Sequence, residues 1–117
     1  MCSVKQFAKA VEMSWSSQSS TLWTADNPAA GQCGVTALVA SDQLGAEILK
    51  TRYGSIWHFY NRIDGQRHDF TESQFGEPIH YDDLPSSRDE AFGDTNAHQY
   101  ASLSKAVKRA LTPGTAD

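Results

Sequence analysis

The sequence has only two cysteines, Cys2 and Cys33, in 117 residues. Two are too few for the disulfide scaffold that staples small secreted domains. Positive charge is also scarce: Lys and Arg number 10 against 14 Asp and Glu, a formal net charge of -4. With no basic surplus to displace counterions, neither nucleic acid nor an anionic membrane is the expected partner. No apolar run approaches the roughly 20 residues that span a bilayer. The longest lies in "GVTALVA", residues 34–40. The N-terminal "MCSVKQFAKAVEM" alternates charged and apolar residues and lacks the apolar region of a signal peptide. The expectation is a cytoplasmic protein. Internal repeats and long low-complexity tracts are absent too.

What is present is globular in character. Apolar residues make up 39% and charged residues 21%, enough to build one core over a single domain, residues 1–117. Val4, Phe7, Ala8 and Val11 recur at helical spacing and predict a helix over about 3–14. Residues 15–30 read as a loop anchored by Trp15 and Trp23. From Gln32 to Leu44 apolar residues fall on nearly every side, the pattern of a central buried helix, and Gly45 is its stop. A turn at 27–31 places Cys33 at the helix mouth; a helix capped earlier by Asn27, with Pro28 at its first position, would bury Cys33 past the first turn.

Residues 46–51 read as a strand. The pair Asp64-Gly65 between strand formers predicts a hairpin of residues 55–63 and 66–71. Residues 72–95 read as irregular, a loop long enough to carry function. A last helix is expected over about 97–111, with Asn96 as N-cap and Gln99 at the third position. The elements add up to an α+β fold with a central buried helix packed on a small antiparallel β-sheet, flanked by helices.

The chemistry sits in three places. A cysteine at a helix start can lose its proton to a nearby imidazole, helped by the helix dipole. A carboxylate on the far ring nitrogen fixes the tautomer of that imidazole. A two-residue turn pairs Ile63 with Gln66 and puts His58, Tyr60 and Asp69 on one face of the hairpin. Cys33 as nucleophile, His58 as base and Asp69 as orienting acid fit these roles. The Cys33 amide would face a developing oxyanion, with Gln32 or the indole of Trp15 or Trp23 as a second donor.

"NPAAGQCGVTALV" and "HFYNRIDGQRHDFTESQF", with the spacing between them, resemble the YunG-like family of small bacterial proteins. The resemblance covers roughly residues 15–76. The order of a helix-start Cys, then His and Asp on successive strands, also resembles papain-like and transglutaminase-like cysteine enzymes. "GQC" is similar to the triplet at the transglutaminase nucleophile, although Gly34 and Val35 stand where a Trp follows there. The resemblance implies a papain-like fold and a thiol-dependent hydrolase or acyl transferase acting on an amide or ester of a small-molecule, peptide or protein substrate.

Plainer readings stand beside this one. Cys33 could be core packing, since free cysteine is among the most buried residue types. His58 could sit hydrogen-bonded within an aromatic sheet, and Asp69 could cap an Asx turn. His68 is the rival base: it faces Asn61 on the other, more apolar side, with Trp57, Phe59 and Phe70. A metal site drawn from Cys33, His58, Asp69, His80 and Asp82 has suitable donor types but no pair at short ligand spacing. No cofactor and no metal is expected. The non-enzymatic alternative is a binding module on the same fold.

Overall fold

The computed structural model describes residues 2–112. Its first helix, α1, spans Val4–Ser14 and starts at Ser3, whose side chain accepts from the Gln6 amide while the Gln6 side chain accepts from the Ser3 amide. This reciprocal pairing satisfies two of the donors that a helix start leaves open. Helix α2 spans Cys33–Leu44 and ends at Gly45, which has φ 65° in the left-handed region. Residues 28–31 form the turn before it. Gly31 sits there at φ +71°, and a Cβ on it would meet Ser20 Oγ at 2.4 Å. The turn and the close approach both require glycine.

Residues Cys33 to Ala40 are all buried, as the all-round apolar pattern of α2 demands. One side of α2, with Val35 and Val39, packs against Phe7 and Val11 of α1. Leu103 and Val107 of the final helix, α4 (Ala97–Leu111), join that cluster. Asn96 caps α4 by accepting from the Gln99 amide at 2.9 Å. The other side of α2, with Ala37 and Leu38, packs on the sheet through Ile48 and Phe59.

The sheet contains β1 (Glu47–Tyr53), β2 (Ile56–Ile63), β3 (Gln66–His68) and β4 (Leu84–Pro85), in the order β3-β2-β1-β4 with every pair antiparallel. The hairpin register is the one a two-residue Asp64-Gly65 turn dictates: Ile63 opposite Gln66, Arg62 opposite Arg67, Asn61 opposite His68. β3 is shorter than the expected 66–71. It stops at His68 because the Asp69 side chain turns back to accept from the Thr71 amide at 3.2 Å, an Asx turn that takes the chain out of the ladder.

The stretch 72–95, expected to be irregular, carries three short elements. They are a 3₁₀ turn at Glu72–Gln74, the edge strand β4, and helix α3, Arg88–Phe92. Ser87 caps α3 by accepting from the Glu90 amide. The architecture is α+β, four helices with one small antiparallel sheet. No helix among the described residues is long and apolar enough to cross a membrane.

Candidate active site

His58 Nε2 lies 2.7 Å from Asp69 Oδ2, and both side chains are almost wholly buried, 1% and 3% exposed. Strand alternation places them. His58 projects from the same face of β2 as Tyr60, away from α2, because Phe59 and Asn61 face the helix. The segment after β3 then folds over this face. His58 packs edge-on against Phe75, with ring centroids 4.9 Å apart. Asp69 is held on all sides: Oδ2 also accepts from Tyr81 Oη at 2.7 Å, and Oδ1 accepts from the Thr71 amide and hydroxyl, each at 3.2 Å.

Cys33 approaches from the other side. It is the first residue of α2 and is 8% exposed. β3 ends two residues short of a partner for Phe59, so the Phe59 amide has no strand acceptor on that edge and lies near enough to the Cys33 sulfur to pull its pKa down. The thiol therefore sits at the open edge of β2, against the residue that follows His58. Among the described residues no hydrogen bond joins thiol to imidazole; the thiol's side-chain partner is Asp94, whose Oδ2 lies 3.4 Å from Sγ.

The same Asp94 oxygen accepts from the Gly34 amide at 3.1 Å. Asp94 thus caps α2 from outside the helix, since the side chain of Gln32, at the N-cap position, makes no capping bond. The sequence predicts a thiolate eased by the helix start; here a carboxylate occupies the helix-start amide beside the sulfur. Burial pushes the Cys33 thiol up, and the Asp94 charge adds to it, to a pKa of about 12. The Phe59 and Gly34 amides pull the other way and lose. The helix dipole is spent on a carboxylate instead of on the sulfur. Asp94's own carboxyl is raised by burial, against the lowering pull of its bonds to Cys33 and Gly34 and of nearby His58.

The model of the YunG protein family matches residues 3–112. The chain belongs to the YunG family. It is 54% identical over 99 residues to the Bacillus subtilis (strain 168) protein named "Uncharacterized protein YunG", covering 85% of this chain and 86% of that protein. No solved structure matches.

In this YunG-family chain the other sequence candidates separate. Gln32 is fully buried; its Nε2 donates to the Ser16 carbonyl at 3.5 Å, and its Oε1 is buried without a partner among the described residues. Its amide hydrogens are aimed at the Ser16 loop, which does not suit the oxyanion role expected of it. The Trp15 indole is committed to Thr36 Oγ1 at 3.0 Å, while the Trp23 indole N–H is buried without a partner among the described residues. The rival pair does not form. Asn61 donates to the carbonyls of Ala37 and Glu47, and His68 stacks on Phe70, which packs against Phe7. His80 pairs with Asp82 at the surface. Among the described residues no three His, Cys, Asp or Glu side chains gather where they could hold a metal ion. Cys2 lies far from this chemistry, lining a cavity of about 600 Å³ with Met13 and Leu111.

Sequence reasoning missed Asp94 and Tyr81, both in the long segment read as loop and helix lead-in. Asp94 left one trace. Gly34 follows the cysteine, and a Cβ there would meet Asp94 Cβ at 2.7 Å and the Ala91 carbonyl at 2.8 Å. Gly34→Ala is expected to destabilise the fold by about 1–3 kcal/mol through this overpacking. Urea unfolding measures it; an unchanged midpoint would show that the α2–α3 contact yields freely.

Proposed function

We propose that the chain is a thiol-dependent hydrolase or acyl transferase of an amide or ester bond, with Cys33 as nucleophile, His58 as base and Asp69 as the group that orients it. The observation that carries this reading is the buried His58–Asp69 bond, 2.7 Å long, with a thiol at the strand edge one residue away. Three further donors, the Tyr81 hydroxyl and the Thr71 amide and hydroxyl, hold the carboxylate in the orientation that sets the His58 tautomer. The order of helix-start Cys, strand His and next-segment Asp adds the resemblance to papain-like and transglutaminase-like enzymes, and with it a papain-like fold.

In the proposed reaction Nε2 stays with Asp69, so Nδ1 is the ring nitrogen that takes the Cys33 proton. The sulfur attacks the carbonyl carbon, and the oxygen takes the electron pair and displaces Asp94 at the Gly34 amide. Collapse expels the amine or alcohol, which receives the proton from His58 and leaves a thioester on Cys33. Water, or a second amine, then attacks the thioester and restores the thiol. We place this chemistry in the cytoplasm, where both cysteines stay reduced.

Burial of the thiol beside a carboxylate favours a second reading, a non-catalytic binding module in which Cys33 is a packing residue. An activated ester separates the two. With p-nitrophenyl acetate the enzyme reading expects a burst of nitrophenol with the acetyl group on Cys33 by peptide mass mapping. The burst is lost in Cys33→Ser at an unchanged melting temperature. Acetylation confined to Cys2, or a burst that survives Cys33→Ser, overturns it.

A further inference from the structure

The sheet face that carries Phe59 continues into Trp57 on β2 and Lys50 and Arg52 on β1. Register fixes this: Lys50 lies opposite Phe59 and Arg52 opposite Trp57. Both cations approach the Trp57 ring, Lys50 Nζ at 4.4 Å and Arg52 Cζ at 4.5 Å from its centroid. Trp57 also packs against the cluster that contains Cys33. Residues two apart on a strand are about 7 Å apart, so Trp57 lies about that far from Phe59, the residue that neighbours the thiol.

The two cations are not equivalent. Lys50 is neutralised by Glu90, 2.6 Å away, and Glu90 is itself held by Ser86. The Arg52 guanidinium is exposed and has no carboxylate partner among the described residues. From Arg52, Asp82 accepts the backbone amide and not the guanidinium, while it is also bonded to Thr51 on the opposite face and to His80. A planar guanidinium lying on an indole keeps its outer N–H groups available for a carboxylate, which they can grip with two parallel bonds.

We propose that this face is the acyl-binding subsite, and that it selects substrates whose acyl part carries a carboxylate: the chain lies on Trp57 and the carboxylate pairs with Arg52. The inference rests on the thiol-enzyme reading and names its substrate class. From the strand edge at Phe59 the acyl chain runs along β2 over Trp57, and its carboxylate meets the guanidinium that lies against that ring. Lys50, tied to Glu90, closes the near side of the subsite and adds no free charge.

The test is binding, so it does not depend on a reactive thiol. N-Succinylglycinamide and N-butyrylglycinamide differ at one end, carboxylate against methyl. Titrated into the wild-type protein by NMR, the succinyl compound should move the Trp57 indole N–H. It should bind at least fivefold more tightly than to Arg52→Gln, while the butyryl compound binds both proteins alike and more weakly. Equal binding of the succinyl compound to both proteins, or no binding at all, overturns the subsite. Loss of the p-nitrophenyl acetate burst on Cys33 with the succinyl preference intact would sink the enzyme reading and leave the carboxylate site standing as that of a binding module.

Discussion

Asp94→Asn should speed the alkylation of Cys33 by iodoacetamide at pH 7 about tenfold, with Cys2 as the unchanged internal reference. Three contributions hold the thiol protonated: burial first, the Asp94 charge second, and the hydrogen bond to the Asp94 carboxylate third. The substitution removes the charge and the carboxylate acceptor and leaves the burial. Asparagine keeps an oxygen for the Gly34 amide, so the α2 cap survives while the repulsion between carboxylate and thiolate goes. A fall of one pKa unit is a tenfold gain in thiolate wherever pH lies well below the pKa, and neutral pH lies far below about 12. Rates that stay within twofold of wild type would show that burial alone silences the sulfur. Stability should respond too, with a sign that can be worked out. The Asp94 carboxyl is raised above the ordinary 3.8 in the fold, so the folded chain holds that proton more tightly than the unfolded chain. Its ionisation costs stability as pH rises from the ordinary aspartate value through the raised one. Asp94→Asn should therefore gain more in melting temperature, relative to wild type, at pH 7 than at pH 3.5.

The helix-start cysteine and the His–Asp hairpin were legible because both follow from local rules. Asp64-Gly65 fixes a two-residue turn, the turn fixes the register, and the alternation of β2 then puts His58 with Asp69 without any tertiary knowledge. The all-round apolar run from Val35 to Ala40 announces a buried helix in the same way. What the sequence could not show is which way the sheet faces the helix. The more apolar side, with Trp57, Phe59 and Asn61, did seek α2, and this sends His58 to the opposite side. Cys33 and His58 can then approach only around the edge of β2, an arrangement that depends on β3 stopping at His68. Asp94 was hidden for a related reason. It comes from a turn 60 residues along the chain from Gly34, and no spacing rule links a carboxylate to a helix N-terminus that far away. The Asx turn that ends β3 and the capping serine of α3 are readable afterwards, because "DFT" and "SSRDE" carry the right residue types. Short elements of three to five residues are set by such caps more than by periodicity.

The second large effect is expected at Asp69, where the two shortest replacements should separate fold from chemistry. Asp69→Ala leaves His58 Nε2, the Tyr81 hydroxyl and two Thr71 donors without their acceptor, beside a His58 side chain only 1% exposed. Removing one partner of a buried pair costs about 3–5 kcal/mol, which for a domain of this size should lower the melting temperature by more than about 10 °C. Asp69→Asn keeps the shape and one acceptor oxygen, and its melting temperature should stay within about 5 °C of wild type. Its chemistry should not survive. The oxygen can serve the Thr71 donors, and the amide NH₂ then points at His58 Nε2 and turns it from donor to acceptor. The ring proton moves to Nδ1, the nitrogen that must be bare to accept the proton of Cys33. A base locked in the wrong tautomer cannot act, so the acetylation burst on Cys33 should fall at least 100-fold in Asp69→Asn while the protein remains folded. A buried histidine with a packing role alone would tolerate the same change with its burst intact. That outcome would return Asp69 to the status of a turn residue.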